Sequence, residues 1–415
     1  MTDVAARLAE VVAIPSVSGD EKWLAERLAA ILLDGGVSVA QDGRNVFARR
    51  GDGPPSLLLN SHIDTVPPVD GWTSYPWNPR VEGDRLIGLG ANDAKASVVS
   101  MLEAFLTAPL PAAGTILFAA TCDEETGGDG LEKLAPQLTF DAAVLGEPND
   151  FGVAVAQKGL VKLKVTARGR SAHAARPHLA QNAIEQAARD VVALGNMSFG
   201  ATDPFLGEPT VAVTMIKGGL RSNVIPDTCE LTVDARTIHR FDNDRMVAAV
   251  KETVSGDVEV LSARLKPVAG DPGWSVARAA LEAAPGRRVT GFPSVSDLAH
   301  LSGRPAIVFG PGTPEESHKA DESISLASLA EAPAISETLP GFESVTWYAV
   351  VAPPHTPAAV VDKVNAGMNE ALRDAEVQNA SPSFRRKWSA VHRSKPQLTS
   401  DKKPSGGKTS LPPCT

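Results

Sequence analysis

The sequence predicts an α/β fold, a mixed-sheet body into which a second, ferredoxin-like α+β domain is inserted. Three observations carry that prediction. Residues 56–68, SLLLNSHIDTVPP, form an apolar run closed by turn residues, the pattern of a buried strand. Up to about residue 158 strand-like and helix-like segments alternate, as in a parallel or mixed sheet covered by helices. From residue 159 the apolar pattern switches to period two, and the order becomes β-α-β-β-α-β until about residue 268. The α/β pattern then resumes.

Residues 4–12 have helical spacing that Pro15 breaks. Ser18 followed by Glu21 reads as a capping box opening a helix to about residue 34, stopped by Gly35 and Gly36. Short strands are expected at 37–40 and 46–49, followed by the strand that ends in His62 and Asp64. In open α/β sheets ligands bind beyond the carboxyl ends of strands, so His62 stands where chemistry is done. A Trp- and Pro-rich loop, GWTSYPWNPR, and a strand ending at 88–90 come next. Asp93 stands at the start of the helix AKASVVSMLEAFL, a position that also suits an N-cap. The strand in GTILFAATCDEETGG ends in Asp123, Glu124 and Glu125, which read as a solvated acidic loop or as carboxylates relieved by a cation. DAAVLGEPND repeats the pattern with Glu147.

Within the insert, strands are expected at LVKLKVTARG, PTVAVTMIKGG, ELTVDART and DVEVLSARL, with helices at 182–194 and 243–254. Beyond it come a helix at 274–284, another from about Ser294, the strand PAIVFGPG and the loop TPEESHKADES with His318. His62, Asp93, Glu124, Glu125, Glu147 and His318 thus gather at strand ends, loops or helix starts. Two imidazoles and several carboxylates suit zinc or a related divalent ion. A bridging carboxylate can hold two such ions about 3.5 Å apart, with a neighbouring Glu as general base.

The whole chain bounds these readings. Its 415 residues suggest two domains, and a net charge of −9 argues against general nucleic-acid binding. Cysteines at 122, 229 and 414 form neither a disulfide framework nor a Cys-type zinc site, which fits a reducing compartment. No signal-like segment or membrane-length apolar run is seen, so the expected location is the cytoplasm. GLG at 88–90 falls short of a dinucleotide fingerprint, and no G-x-S-x-G elbow occurs.

The motifs SHIDTVP, GLGANDAKAS, TCDEETGG, LGEP, GRSAHA, SNVIPD and FGPGTPEESHKADE, in that order over about residues 1–332, resemble the acetylornithine deacetylase / succinyl-diaminopimelate desuccinylase family of dizinc amidohydrolases. The resemblance implies that His62 and Glu147 bind one metal, Glu125 and His318 the other, and that Asp93 bridges them. It implies that Asp64 orients His62, that Glu124 is the general base, and that His173 stabilises the oxyanion from a partner subunit. Asn223 and Arg236 would contact a substrate carboxylate, and Gly310 and Gly312 would line the pocket. The family's D-M-K-G reads D-A-K-A at 93–96, which loses a glycine but no ligand.

The function so implied is hydrolysis of an N-acyl amino acid by a cytoplasmic homodimer using two zinc ions (or cobalt), first of all acetylornithine-type deacetylation. Succinyl-diaminopimelate desuccinylation and dipeptide hydrolysis are alternatives, and an inactive metal-binding relic is an alternative of another class. The expected organisation is a catalytic body of residues 1–158 and 269–332 around a lid and dimerisation domain of 159–268. Pro333 is expected to interrupt the last helix. Residues 333–379 resemble a fragment of tripartite tricarboxylate transport receptors, with a helix at 357–372. Residues 380–415, with eight Lys or Arg against Asp401, read as a disordered basic tail.

Overall fold

Every residue of the strand Ser56–His62 is buried, with Leu57 and Leu59 in the core on one face of the sheet and Leu58 in the core on the other. A strand covered on both faces needs a continuous apolar run rather than alternation, as this segment has. The computed structural model describes residues 3–109 and 114–337.

Helix α1 (Asp3–Val12) and helix α2 (Lys22–Asp34) precede a hairpin of β1 (Val39–Asp42) and β2 (Asn45–Asp52). The first strand of that hairpin lies two residues later than its apolar spacing indicated, and it turns through Gly43 at φ 62°. The buried strand is β3 (Ser56–His62). A small sheet is opened by β4 (Arg80–Glu82) and β5 (Arg85–Ile87), and α3 (Lys95–Thr107) follows. Next come β6 (Gly114–Thr121), the short helix α4 (Asp129–Leu134), β7 (Ala142–Leu145) and β8 (Val153–Gln157).

The chain then leaves the main sheet. Strand β9 (Gly159–Arg168), short β10 (Ala172–His173), helix α5 (Ala183–Gly195), β11 (Thr210–Gly218), short β12 (Val224–Ile225), β13 (Thr228–Thr237), helix α6 (Asn243–Thr253) and β14 (Asp257–Ser262) build the insert. Its antiparallel order β11-β13-β9-β14 is that of a ferredoxin-like sheet, with Ala183, Ala187, Met246 and Val250 of the two helices in its core. The chain rejoins the main sheet at β15 (Val268–Ala269) and continues through α7 (Ser275–Ala283), β16 (Val289–Phe292), β17 (Ala306–Val308), β18 (Ser323–Ser325) and α8 (Leu326–Glu337). The fold is therefore the expected mixed α/β body with an inserted α+β unit.

The main sheet has nine strands in the order β1-β2-β6-β3-β7-β17-β8-β15, with β16 beside β8. Its centre positions the site. Strands β6, β3, β7 and β17 are adjacent and mutually parallel, so their carboxyl ends open along one edge. Residues of α1, α2, α3, α7 and α8 share the core on one face, while Leu131, Leu134, Leu298 and Leu301 cover the other.

Three local expectations are corrected. Ser18 and Glu21 form no capping box: α2 starts at Lys22, and the Glu21 side chain makes no cap hydrogen bond to it. Their side chains are drawn to Asp64 and Asp123 instead, because buried partners there compete successfully with a helix end. The helix expected near Ser294 is a 3-10 segment at Asp297–Leu301, capped by Ser296. Pro333 does not end the last helix, which runs to Glu337; packing of its earlier turns against α3 outweighs the one backbone bond a proline removes. The receptor-like segment (beyond residue 337), the helix at 357–372 and the basic tail lie outside the described residues. No helix among the described residues is long and apolar enough to cross a membrane.

Candidate metal centre

Four parallel strand ends deliver most of the cluster. His62 is the last residue of β3, Glu124 and Glu125 follow β6, Glu147 follows β7, and Gly310 and Gly312 follow β17. Asp93 arrives from the turn before α3; the Asp93–Ala94 peptide is cis, and Ala94, not Asp93, holds the N-cap position. His318 comes from the loop after β17 with φ 60°.

Asp93 lies between the two histidines. Its Oδ1 is 3.3 Å from His62 Nε2 and its Oδ2 is 3.4 Å from His318 Nε2. Glu147 Oε2 is 3.7 Å from His62 Nε2, and Glu125 Oε1 is 2.9 Å from His318 Nε2. One ligand atom each of His62, Asp93 and Glu125 falls within a span of 4.8 Å, close enough to share an ion.

Asp64 is buried behind His62, with its Oδ1 3.4 Å and its backbone carbonyl 3.1 Å from Nδ1. The same carboxylate accepts the Glu124 and Glu125 backbone N–H groups at 3.0 and 3.1 Å and the Ser18 hydroxyl at 2.7 Å. It thus fixes the imidazole and the acidic segment together.

The electrostatics describe a cluster short of positive charge. Burial pushes the Glu124 carboxyl well above the usual range; His62 opposes that shift while Glu147, Glu125 and Asp297 add to it. Burial likewise raises Glu147 and Asp297 to about 7 and lifts Glu125 despite its bond to His318. Burial would lower the His62 pKa, but the Glu147 charge and the bonds to Asp64 and Asp93 hold it well above the ordinary value. The hydrogen bond His318 gives to the Glu125 carboxylate raises its imidazole to about 9. Carboxylates this crowded are relieved by a cation, and the mixture of imidazole nitrogen and carboxylate oxygen fits zinc or a similar divalent ion. The donor set therefore fits the metals the sequence implied, with His62, Asp93, Glu125, Glu147 and His318 as the residues that would hold them.

His173, Asn223 and Arg236 fall outside this cluster, whereas Gly310 and Gly312 lie at its edge. His173 is exposed on β10, where its Nδ1 accepts the Ala175 N–H at 3.0 Å. Asn223 is exposed and gives its backbone carbonyl to Ala174. The Arg236 guanidinium is held by Asp234 of the same strand at 2.7 and 3.1 Å. Gly310 and Gly312 are glycines because their surroundings leave no room: a Cβ would meet the Glu147 carbonyl at 2.5 Å and Asn92 Oδ1 at 2.2 Å, respectively.

Three further buried groups border the centre and were not singled out from sequence. Glu322 accepts the Asn92 and Asp93 backbone N–H groups, both at 2.9 Å, and burial raises it to about 7. Lys95 is fully buried and donates to the Val11 and Ile14 carbonyls at 3.2 and 3.0 Å. Asp297 accepts the Thr121 hydroxyl at 3.1 Å. Only Glu322 and Lys95 carried a local signal, each a charged residue inside a motif already read for other members.

The family model of peptidase family M20/M25/M40 matches residues 58–339. A succinyl-diaminopimelate desuccinylase of Corynebacterium glutamicum is 29% identical over 346 residues, covering 78% of this chain and 92% of the relative. A protein of Aspergillus clavatus described as a probable carboxypeptidase is 30% identical over 366 residues, covering 78% of each chain. Among solved structures, a metallo-carboxypeptidase of Sulfolobus solfataricus superposes with a TM-score of 0.71 at 16% identity, covering 82% of this chain and 99% of that one.

Proposed function

The chain belongs to peptidase family M20/M25/M40 and is a hydrolase of amide bonds; on that premise we propose that it removes the acyl group from an N-acyl amino acid at a centre of two divalent ions, zinc or cobalt. The observation that carries the reading is Asp93, with one oxygen toward His62 and the other toward His318. His62 and Glu147 would hold one ion, Glu125 and His318 the other, and Asp93 both. Ions bound there would act as Lewis acids on the amide carbonyl and would acidify water.

Glu124 takes a proton from the attacking water and delivers it to the leaving nitrogen. In the metal-free chain, burial and the neighbouring Glu147, Glu125 and Asp297 hold its carboxyl above the usual range, so this position favours binding a proton. Asp64 keeps the His62 imidazole in the tautomer that leaves Nε2 free for the metal.

The insert, residues 159–268, is the lid and dimerisation domain, and residues 1–158 and 269–332 are the catalytic body. Strand β11 supports a homodimer: it is an edge strand with Met215 and Ile216 exposed by 67% and 58%, an open template for a second copy. His173 would then reach the partner's centre to stabilise the oxyanion. Arg236 and Asn223 would hold the substrate carboxylate, and Gly310 and Gly312 would line the pocket beside them. The cytoplasm is the expected location.

The family resemblance favours N-acetyl-ornithine as substrate. The desuccinylase relative supports putting N-succinyl-diaminopimelate beside it, and the carboxypeptidase relative supports including a dipeptide. The test is amine release from N-succinyl-diaminopimelate, N-acetyl-ornithine, N-acetyl-citrulline, N-acetyl-lysine and a dipeptide, with added zinc or cobalt. Turnover of one compound, lost in Glu124→Ala, is the expected result. No turnover of these compounds by a folded, metal-loaded dimer would point to another acyl substrate, and no turnover by a monomeric or unfolded chain would turn the reading toward a metal-binding relic.

A further inference from the structure

We infer that Glu21, assisted by Ser18, is a positioning residue that holds the segment 122–125 in register with the metal centre. The inference rests on the reading of Glu124 as base and Glu125 as ligand.

Four consecutive backbone N–H groups of that segment end on side chains from outside it. Cys122 N–H donates to Asn45 Oδ1 at 3.0 Å, and Asp123 N–H to Glu21 Oε1 at 3.2 Å. Glu124 and Glu125 N–H both donate to Asp64. The segment cannot satisfy these donors itself, because Asp123 takes a left-handed conformation, φ 60°, that breaks any regular continuation of β6. Aspartate tolerates that conformation better than most non-glycine residues, and here the N–H groups on either side of it are tied down from outside the segment.

Glu21 is the unusual member of the set. It is fully buried, stands immediately before α2 and makes no cap to that helix. Oε1 also takes the Gly19 N–H at 3.0 Å, and Oε2 is ion-paired with Arg44, which reaches on to the Asp123 carboxylate. The charge of Glu21 is thus compensated by Arg44 while its other oxygen remains aimed at the segment. Ser18 closes the arrangement by donating to Asp64, and the Ser18 backbone N–H donates to the Thr65 carbonyl at 3.1 Å. The loop before α2 therefore braces both the segment carrying His62, through Ser18, and the one carrying Glu124 and Glu125, through Glu21. Moving Glu21 moves the Asp123 Cα, and with it the origin of both functional side chains.

The experiment is cobalt(II) titration of the full chain, read by visible d–d absorption and by competition with a chromophoric chelator, with folding followed by circular dichroism. Glu21→Ala is expected to weaken cobalt binding by roughly 10–100-fold, the range typical of lost partners behind a ligand, and to alter the visible band. Glu21→Gln keeps an oxygen for the Asp123 N–H and recovers most of the affinity. Ser18→Ala weakens binding in the same direction by less. A purely structural role would lower the melting temperature and leave the band and affinity of the folded protein unchanged. Folded Glu21→Ala with wild-type affinity and band overturns the proposal. If Glu21→Ala does not fold, Ser18→Ala decides: wild-type behaviour overturns it and a weakened, altered site upholds it. Wild-type protein that takes up no cobalt instead brings down the metal-centre reading, and this proposal with it.

Discussion

The Asp64 carboxylate receives the backbone N–H of Glu124 at 3.0 Å while its Oδ1 stands 3.4 Å from Nδ1 of His62. A residue two places beyond one proposed metal ligand therefore also sets the backbone of the candidate base. Replacing Asp64 by Asn removes the charge that supports the imidazole and places an amide donor against one of the N–H groups it now accepts. We expect Asp64→Asn to reduce zinc affinity by about 10–100-fold, measured by chelator competition. Unchanged affinity would mean that Asp64 serves only the fold.

Glu124→Gln preserves volume and removes the proton carrier. Amide hydrolysis should fall by about 10²–10⁴-fold, while two metals per chain remain by elemental analysis. Retention of activity would move the base to another carboxylate of the cluster.

Metal uptake should release protons. The His318 imidazole, raised to about 9 by Glu125, is protonated at pH 7 in the metal-free chain and must be neutral to bind an ion. Affinity should therefore climb as pH rises from 7 toward 9. Calorimetry in buffers of different ionisation enthalpy will detect the released protons; no buffer dependence would refute the assignment of His318 as a ligand.

Lys95 gives a stability signature of definite sign. Burial lowers it to about 7, whereas in the unfolded chain it titrates near its ordinary value of 10.5. Between those values the unfolded state binds the extra proton, so this residue makes stability rise with pH, by up to about 1.4 kcal/mol per unit. Lys95→Met should remove that slope between pH 7.5 and 9.5 in denaturant titrations of the metal-free protein. An unchanged slope would place its origin elsewhere.

The edge of β11 predicts an interface. Ile216→Lys should halve the mass seen by light scattering and leave the melting of the isolated chain nearly unchanged, since the side chain is largely exposed. Mixing His173→Ala with Glu124→Gln should restore activity beyond either alone if each centre takes its histidine from the partner. No gain on mixing would confine His173 to its own subunit.

The sequence alone determined most of the longer strands, most helices, the inserted unit and the residues that gather at the strand ends, but not β8 or β16. Periodicity reports burial on one face or two, and residues at strand ends inherit the edge of the sheet: the apolar run of β3 was sufficient to place His62. Tertiary structure decided what Ser18 and Glu21 do. Locally they spell a helix cap, yet their side chains are claimed by Asp64 and Asp123, which approach only when β3 and β6 pair in parallel. The same holds for Glu322 beneath Asp93 and for Asp297 beside Thr121. A buried carboxylate takes the donor that folding brings to it, and that donor lies far away in the chain, beyond the reach of any local pattern.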